Sequence, residues 1–414
     1  MSQQRKPIVI VGAGQAGGWV ALTLNRIAPE QPVVLIGSET HPPYERPPLS
    51  KDILLGKSPP ESAYLKPLEF FEEVGIDLRL GTEVERLDPL TRTVELSTGD
   101  RIEYESLVLA TGSRPRILEI EGADAPCVRT LRSLSDLEPI RRHLKPERNI
   151  VCIGAGFIGL EVAAATRSAG CNVHVVEAAP HALGRAVAPQ VADALVARHE
   201  RHGVDFTFDA SVKSLKTEGA GATVTLSNGQ ALPADLVIVG VGGTANDQLA
   251  RRAGLDCSNG VCVDENGCTS DPHIFAVGDV AHHFSRSLNR SVRLESWQNA
   301  QNQAIALAHE IAGRPEPCLD LPWFWTDQYG DNFQIIGMPE RWDRLVWRGS
   351  PDADQFTVLY MDGPRVCAGN TLNNARDIRP LRAMITEGAE WTDVTLADTS
   401  RSLTKIQKTR QVSA

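Results

Sequence analysis

Two triplets of glycine, each followed by a carboxylate, are the residues of this sequence whose types and spacing point most directly to chemistry. Gly12, Gly14 and Gly17 stand at GxGxxG spacing behind the apolar run IVIV, and Gly154, Gly156 and Gly159 repeat that spacing behind IVCI. In such a pattern the first glycine permits a tight strand-to-helix turn, the second lets backbone approach a pyrophosphate, and the third brings the helix close against the strand. The N–H groups at the helix start then face the phosphates. Glu39 follows the first triplet past the run VVLIG, and Glu177 follows the second past VHVVE. A carboxylate at that place can hydrogen-bond ribose hydroxyls. The alternative for Glu39 is a solvated turn carboxylate. Two dinucleotide sites in one chain imply that electrons pass from one to the other.

The elements that must position these residues read in the same doubled way. Ile8–Val11 and Ile150–Ile153 are unbroken apolar runs, as expected of parallel strands covered on both faces. After the first unit comes ETHPPYERPPLSK, whose four prolines exclude regular helix or central strand and make a stiff loop. A short helix (LEFFEEVG), a strand (IDLRL) and a meander from Val84 to Leu109 follow, closing on the apolar strand SLVLATGS. The second unit continues with a helix over Val187–Gly203, a meander over Val212–Leu232 and a strand, ADLVIVGVGG, that mirrors SLVLATGS. Two halves built alike imply two domains of one architecture. Gly278-Asp279 then ends the run HIFAVG, and a helix is expected over Ser296–Ala312. From Trp323 onward tryptophans crowd the sequence, strands such as FQIIG and QFTVLYMDG alternate, and a helix is expected over Ile378–Glu387. This end reads as a smaller α+β domain.

Composition bounds the function. A chain of 414 residues suggests two or three domains, and 42% hydrophobic with 23% charged residues is a soluble globular composition. No apolar run approaches the roughly 18 residues that would span a bilayer, and the N-terminal MSQQRKP leads straight into the first strand, so no signal peptide is expected. A net charge of −10 argues against nucleic acid or an anionic membrane as partner. The eight cysteines form no spaced framework, which favours a reducing cytoplasm. The stretch from Glu39 to Lys57 contains no cysteine, so a redox-active pair beside the first fingerprint is excluded. Cys257 and Cys262 have CxxxxC spacing but flank a glycine turn elsewhere, and read as structural. No His/Cys cluster has metal-ligand spacing, so no metal is expected.

The order GAGQAG, PPYERPPLSK, ATGSRP, GAGFIGLE, TSDPHIFAVGD, ESWQNAQNQA and PWFWTDQY resembles the FAD-containing, NADH-dependent ferredoxin reductases that serve bacterial Rieske dioxygenases and cytochrome P450 systems. The resemblance implies an α/β fold of glutathione-reductase type, with two Rossmann-like dinucleotide-binding domains and a smaller α+β C-terminal domain. FAD would occupy a discontinuous domain of residues 1–118 and 247–322, NADH a domain of residues 119–246, and residues 323–414 would form an interface domain. Gly12, Gly14, Ala16 and Gly17 would contact the FAD pyrophosphate, and Glu39 its adenosine ribose. Arg46, Lys51, Ala110, Thr111 and Gly112 would lie along the cofactor, Asp279 at its ribityl and phosphate region, and Trp297 beside the flavin. Gly154, Gly156, Phe157, Ile158, Gly159, Glu161, Glu177, Arg185 and Gly242 would receive NADH. Glu161 would also hold Lys51, which would carry positive charge to the reactive edge of the flavin. The alternative for Glu161 is a carboxylate near a helix start, favoured only by the helix dipole.

Glu177 has only Ala178 and Ala179 beside it, so nothing offsets its repulsion of a ribose 2′-phosphate and NADH should be preferred to NADPH. The partner implied is an acidic [2Fe–2S] ferredoxin, and through it a terminal oxygenase. An acidic reductase must meet it with a local basic patch. Arg286, Arg290 and Arg293 are one candidate patch and Arg341, Arg344 and Arg348 another, with Trp297 and Trp325 lying toward the partner, near the flavin or in the core. The sequence departs from the family pattern at Ala245, where proline is common, and at Gln298, where histidine is. An NADH oxidase, a reductase of rubredoxin or another carrier, and a partner-binding protein like the apoptosis-inducing factor remain alternatives on the same fold.

Overall fold

The structure, a computed structural model, describes residues 5–318 and 321–411, which fall into two compact units. The first comprises the chain up to Pro47, Pro59–Arg114, and residues 243–320. Its centre is a parallel sheet in the order Ile274–Ala276, Ser106–Leu109, Ile8–Val11, Val33–Ile36, Asp77–Arg79. The central strand is uniformly apolar because both of its faces are covered. Ile8 and Ile10 pack with Val20, Leu24, Ala304 and Leu307 from the helices Gln15–Ile27 and Trp297–Ile311, while Val9 and Val11 pack with Leu87, Val94 and Leu96. Those last three come from an antiparallel sheet of Val84–Asp88, Thr93–Leu96 and Arg101–Glu103. The expected meander therefore stops one strand early. Ser106–Leu109 leaves it for the parallel sheet, since Leu107, Val108 and Leu109 are all buried and offer no polar face. Ser296 caps the helix Trp297–Ile311, its hydroxyl accepting from the Asn299 N–H at 3.1 Å.

The second unit comprises Pro48–Ser58, Pro115–Gly242 and the chain from Leu321 onward. Its parallel sheet runs Val204–Thr207, Asn172–Val176, Asn149–Ile153, Leu236–Val239, Val128–Arg129, with an antiparallel sheet of Val212–Glu218, Gly221–Leu226 and Ala231–Ala234 beside it in sequence. The helix Phe157–Ser168 follows the second fingerprint and Pro189–Arg201 follows the next strand. The C-terminal part is a five-stranded antiparallel sheet in the order Trp323–Gln328, Asp331–Ile336, Arg365–Leu372, Phe356–Asp362, Arg344–Arg348. The helix Ile378–Glu387 packs on it through Leu381 and Met384, joined by two short helices, Asp393–Ala397 and Leu403–Gln411, that the sequence pattern did not announce. Pro48–Ser58 is tied into this unit by Arg141, whose guanidinium donates to the carbonyls of Ile53 and Leu54.

Candidate functional site

In the first unit the glycine triplet divides into positions the protein itself requires and one it does not. Gly12 has φ +114°, and a Cβ there would lie 2.2 Å from the Ala110 carbonyl oxygen; a Cβ on Gly17 would lie 1.9 Å from the Gly12 carbonyl oxygen. At Gly14 a Cβ would meet nothing within 4 Å. The open space at Gly14 lies at the N-terminus of the helix Gln15–Ile27, a cradle that fits a pyrophosphate. Gly278, at φ +75°, approaches so closely that its Cβ would stand 2.9 Å from that of Ala16, which brings Asp279 to the same helix start. The Asp279 carboxylate accepts from Ser113 Oγ at 3.3 Å and its backbone carbonyl from Arg293 Nη1 at 3.0 Å. Thr111 and Asn246 clamp one another: the Thr111 hydroxyl donates to the Asn246 carbonyl at 2.7 Å and the Asn246 amide to the Thr111 carbonyl at 2.9 Å. Ala245, the departure from the family pattern, is buried in the short strand Gly243–Ala245.

Glu39 is held by side chains. It accepts from the Tyr44 hydroxyl at 2.5 Å and from Arg46 Nη2 at 2.9 Å, leaving about two of its roughly four lone-pair positions for another donor. Trp297 donates a hydrogen bond to Glu45, and this partly offsets the burial that pushes the Glu45 carboxyl above its ordinary pKa.

The second fingerprint repeats the geometry. Gly154 has φ +102° with its Cβ position 2.6 Å from the Gly240 carbonyl oxygen, and a Cβ on Gly159 would lie 2.0 Å from the Gly154 carbonyl oxygen. Gly156 again faces open space, with the nearest atom 4.0 Å away. Here the strand-end acid binds backbone: Glu177 accepts from the N–H groups of Ala155 at 2.7 Å and Ala179 at 2.9 Å. Phe157 stacks on Phe324 with centroids 6.0 Å apart and planes 7° from parallel, and Ile158 is exposed. Arg185 is exposed and reaches to within 3.7 Å of the Cβ position of Gly242.

Glu161 is the fifth residue of the helix Phe157–Ser168, past the first turn where the dipole acts, and only 6% exposed. Its partner is Lys51, whose Nζ lies 2.8 Å from Oε1. Ser50 Oγ donates to the other oxygen, and Thr326 Oγ1 donates to Oε1 at 2.7 Å. Beyond Thr326 lie Gln328, His199 and Tyr329, each bonded to the next. Removing one partner of such a buried pair costs roughly 3–5 kcal/mol. Sequence reading missed Ser50, Thr326 and this extension. The signal was present in FWTDQY, where Thr326 and Gln328 alternate onto one strand face, and in PPLSK, where Ser50 stands beside the lysine.

The arginine clusters separate on inspection. Arg293 is not a docking residue: its side chain is 8% exposed and binds Glu295, Asn259 and the carbonyls of Asp279 and Gly243. Arg348 is likewise buried on the carbonyls of Leu396, Asp398 and Arg401, and Arg344 is paired with Asp343 and Asp393. Arg286 is exposed but paired with Glu265, Arg290 is half-buried, and Arg341 is exposed. Trp325 stacks on Trp323 at 4.9 Å and donates its indole N–H to Asp327. Cys257 and Cys262 belong to a β-hairpin and form no disulfide.

Residues 6–304 match the pyridine nucleotide-disulphide oxidoreductase family and residues 323–407 the reductase C-terminal family. The chain is 38% identical over 394 residues to the anthranilate 1,2-dioxygenase system ferredoxin–NAD(+) reductase component of Burkholderia cepacia, covering 95% of this chain and 97% of that one. This chain belongs to the ferredoxin–NAD(+) reductases of that family. Two solved ferredoxin reductase structures are similar throughout. Putidaredoxin reductase, in its covalent complex with putidaredoxin, has a TM-score of 0.95 at 37% identity, covering 99% of this chain and 100% of that one. The ferredoxin reductase of the CYP199A2 system from Rhodopseudomonas palustris has 0.93 at 38% identity, covering 97% and 99%. Among the described residues of this ferredoxin reductase no helix is long and apolar enough to cross a membrane.

Proposed function

We propose that this chain oxidises NADH by hydride transfer to FAD and delivers the electrons singly to an acidic [2Fe–2S] ferredoxin that feeds a Rieske dioxygenase or cytochrome P450. The observation that carries the reading is the pair of fingerprints, each with its middle glycine facing open space, joined in one chain to a buried Lys51–Glu161 pair. Bound FAD supplies a group that takes two electrons at once and releases them one at a time. Gly12, Gly14, Ala16 and Gly17 hold its phosphates, Asp279 meets its ribityl and phosphate region, Glu39 its adenosine ribose, and Arg46, Ala110, Thr111, Gly112 and Trp297 lie along its remaining length. Gly154, Gly156, Phe157, Ile158, Gly159, Arg185 and Gly242 receive NADH, with Glu177 accepting from its adenosine ribose. Lys51, fixed by Glu161, brings positive charge to the reduced flavin. Arg286, Arg290 and Arg341, with Trp297 and Trp325, remain candidates for meeting the ferredoxin, and we place the reaction in the cytoplasm.

The test is turnover with a panel of acceptors at rising salt. Ferredoxin reduction falls with rising ionic strength more steeply than ferricyanide reduction, because only the protein acceptor docks on an extended basic patch. Equal salt dependence for both acceptors would remove the docking patch from the account.

A further inference from the structure

We propose that Tyr329, His199, Gln328 and Thr326 form a one-directional hydrogen-bond chain that orients the Glu161 carboxylate and thereby positions Lys51. The direction follows from the donors available. The Glu161 oxygen that pairs with Lys51 also accepts from the Thr326 hydroxyl, at 2.7 Å. That hydroxyl has one hydrogen, so it must accept from the Gln328 amide nitrogen, at 3.0 Å. The Gln328 carbonyl oxygen then accepts from the His199 Nε2–H at 2.7 Å, leaving Nδ1 to accept from the Tyr329 hydroxyl at 3.0 Å. Flipping the Gln328 amide would require a second hydrogen on Thr326, so every dipole points toward the carboxylate. Thr326, Gln328 and His199 are 1%, 8% and 0% exposed, which keeps water from competing for these bonds. Burial also lowers the His199 pKa to about 4, so the ring stays neutral, as the single Nε2 proton requires.

The far end of the chain is held against backbone preference. Gln328 pairs with Asp331 across a two-residue hairpin loop in which Tyr329 and Gly330 have φ of +57° and +86°. Such a loop favours Asn, Asp or Gly at its first position. A tyrosine there is strained, and it is retained by stacking on His202, with centroids 3.8 Å apart and planes 4° from parallel, and by its bond to His199. These four are positioning residues that act through Glu161. The inference rests on the Lys51 role proposed above.

The experiment compares Thr326→Val, Thr326→Ser, Tyr329→Phe and Lys51→Met in the FAD-loaded protein. The readouts are flavin reduction rate by NADH, the midpoint potential of the bound flavin and the 15N shifts of labelled histidine. Thr326→Val slows reduction by about tenfold, the loss of one hydrogen bond to a charge, and lowers the potential in the same direction as Lys51→Met. Thr326→Ser restores most of both, and Tyr329→Phe shifts both slightly the same way while changing the His199 signal. A normal potential in Thr326→Val beside a lowered one in Lys51→Met overturns the chain and leaves the lysine role standing. Unchanged values in Lys51→Met remove that role and the chain with it. A wild-type His199 signal showing the proton on Nδ1 also overturns the proposal.

Discussion

The two fingerprints share a backbone and differ in what surrounds it. Both sheets place the fingerprint strand third of five, and in both the first and third glycines are forced by carbonyl oxygens while the middle one is open. Around the first, the chain closes in: a Cβ on Gly18 would lie 2.6 Å from Pro43 and 2.8 Å from Leu65, Ala16 abuts Gly278, and Glu39 is gripped by Tyr44 and Arg46. At the matching positions of the second stand Leu160 for Gly18, exposed Ile158 for Ala16 and buried Glu161 for Trp19, and the strand-end acid accepts from the backbone N–H groups of Ala155 and Ala179. One arrangement suits a cofactor that stays. The other suits a substrate that comes and goes, and spends a buried carboxylate on Lys51.

The largest effects should separate the two sites outright. Gly17→Ala places a methyl 1.9 Å from a carbonyl oxygen, so bound FAD falls by roughly tenfold or more and the protein purifies colourless, as its visible spectrum will report. Gly159→Ala meets the same clash at 2.0 Å but yields a yellow protein that NADH no longer reduces. A colourless Gly159→Ala protein would break the comparison. Lys51→Met keeps its FAD and slows hydride transfer by about a hundredfold in stopped flow, the scale of losing one preorganised charge.

The units should also differ toward acid. His199 is depressed from 6.5 to about 4 by burial, with the nearby charge of His202 adding to the effect, so between those values the unfolded chain binds the extra proton. Stability of the second unit is therefore complete above about pH 6.5 and declines as pH falls toward 4, by about 3 kcal/mol in all. Hydrogen exchange at pH 5 and pH 7 checks this, and His199→Gln should flatten the slope. The smallest effect is at Glu177: replacing it by alanine lowers the NADH efficiency by about tenfold and narrows its margin over NADPH. Equal use of both coenzymes by the unaltered protein would contradict that role.

What the sequence revealed of this fold was whatever repeats or has local period. The strands before each fingerprint and the helices Trp297–Ile311 and Ile378–Glu387 follow from apolar runs and spacing read over neighbouring residues. The departure of Ser106–Leu109 from the meander depended on which sheet would cover its faces, which no local window contains. The same limit hid most of the Glu161 environment. Lys51 was reachable through motif order, but Thr326 is 165 residues away and His199 looks like any histidine on an apolar helix face. The arginine clusters failed for the opposite reason: Arg293 and Arg348 read as surface charge, yet carbonyl oxygens supply enough acceptors to bury them.

The central claim is that this chain moves electrons from NADH through FAD to a ferredoxin. Stopped-flow mixing of the yellow protein with NADH, followed by a [2Fe–2S] ferredoxin, tests it most directly. The account predicts rapid bleaching of the flavin and then ferredoxin reduction that saturates with ferredoxin concentration. Bleaching that only oxygen, and no ferredoxin, can reverse would contradict it and make the protein an oxidase.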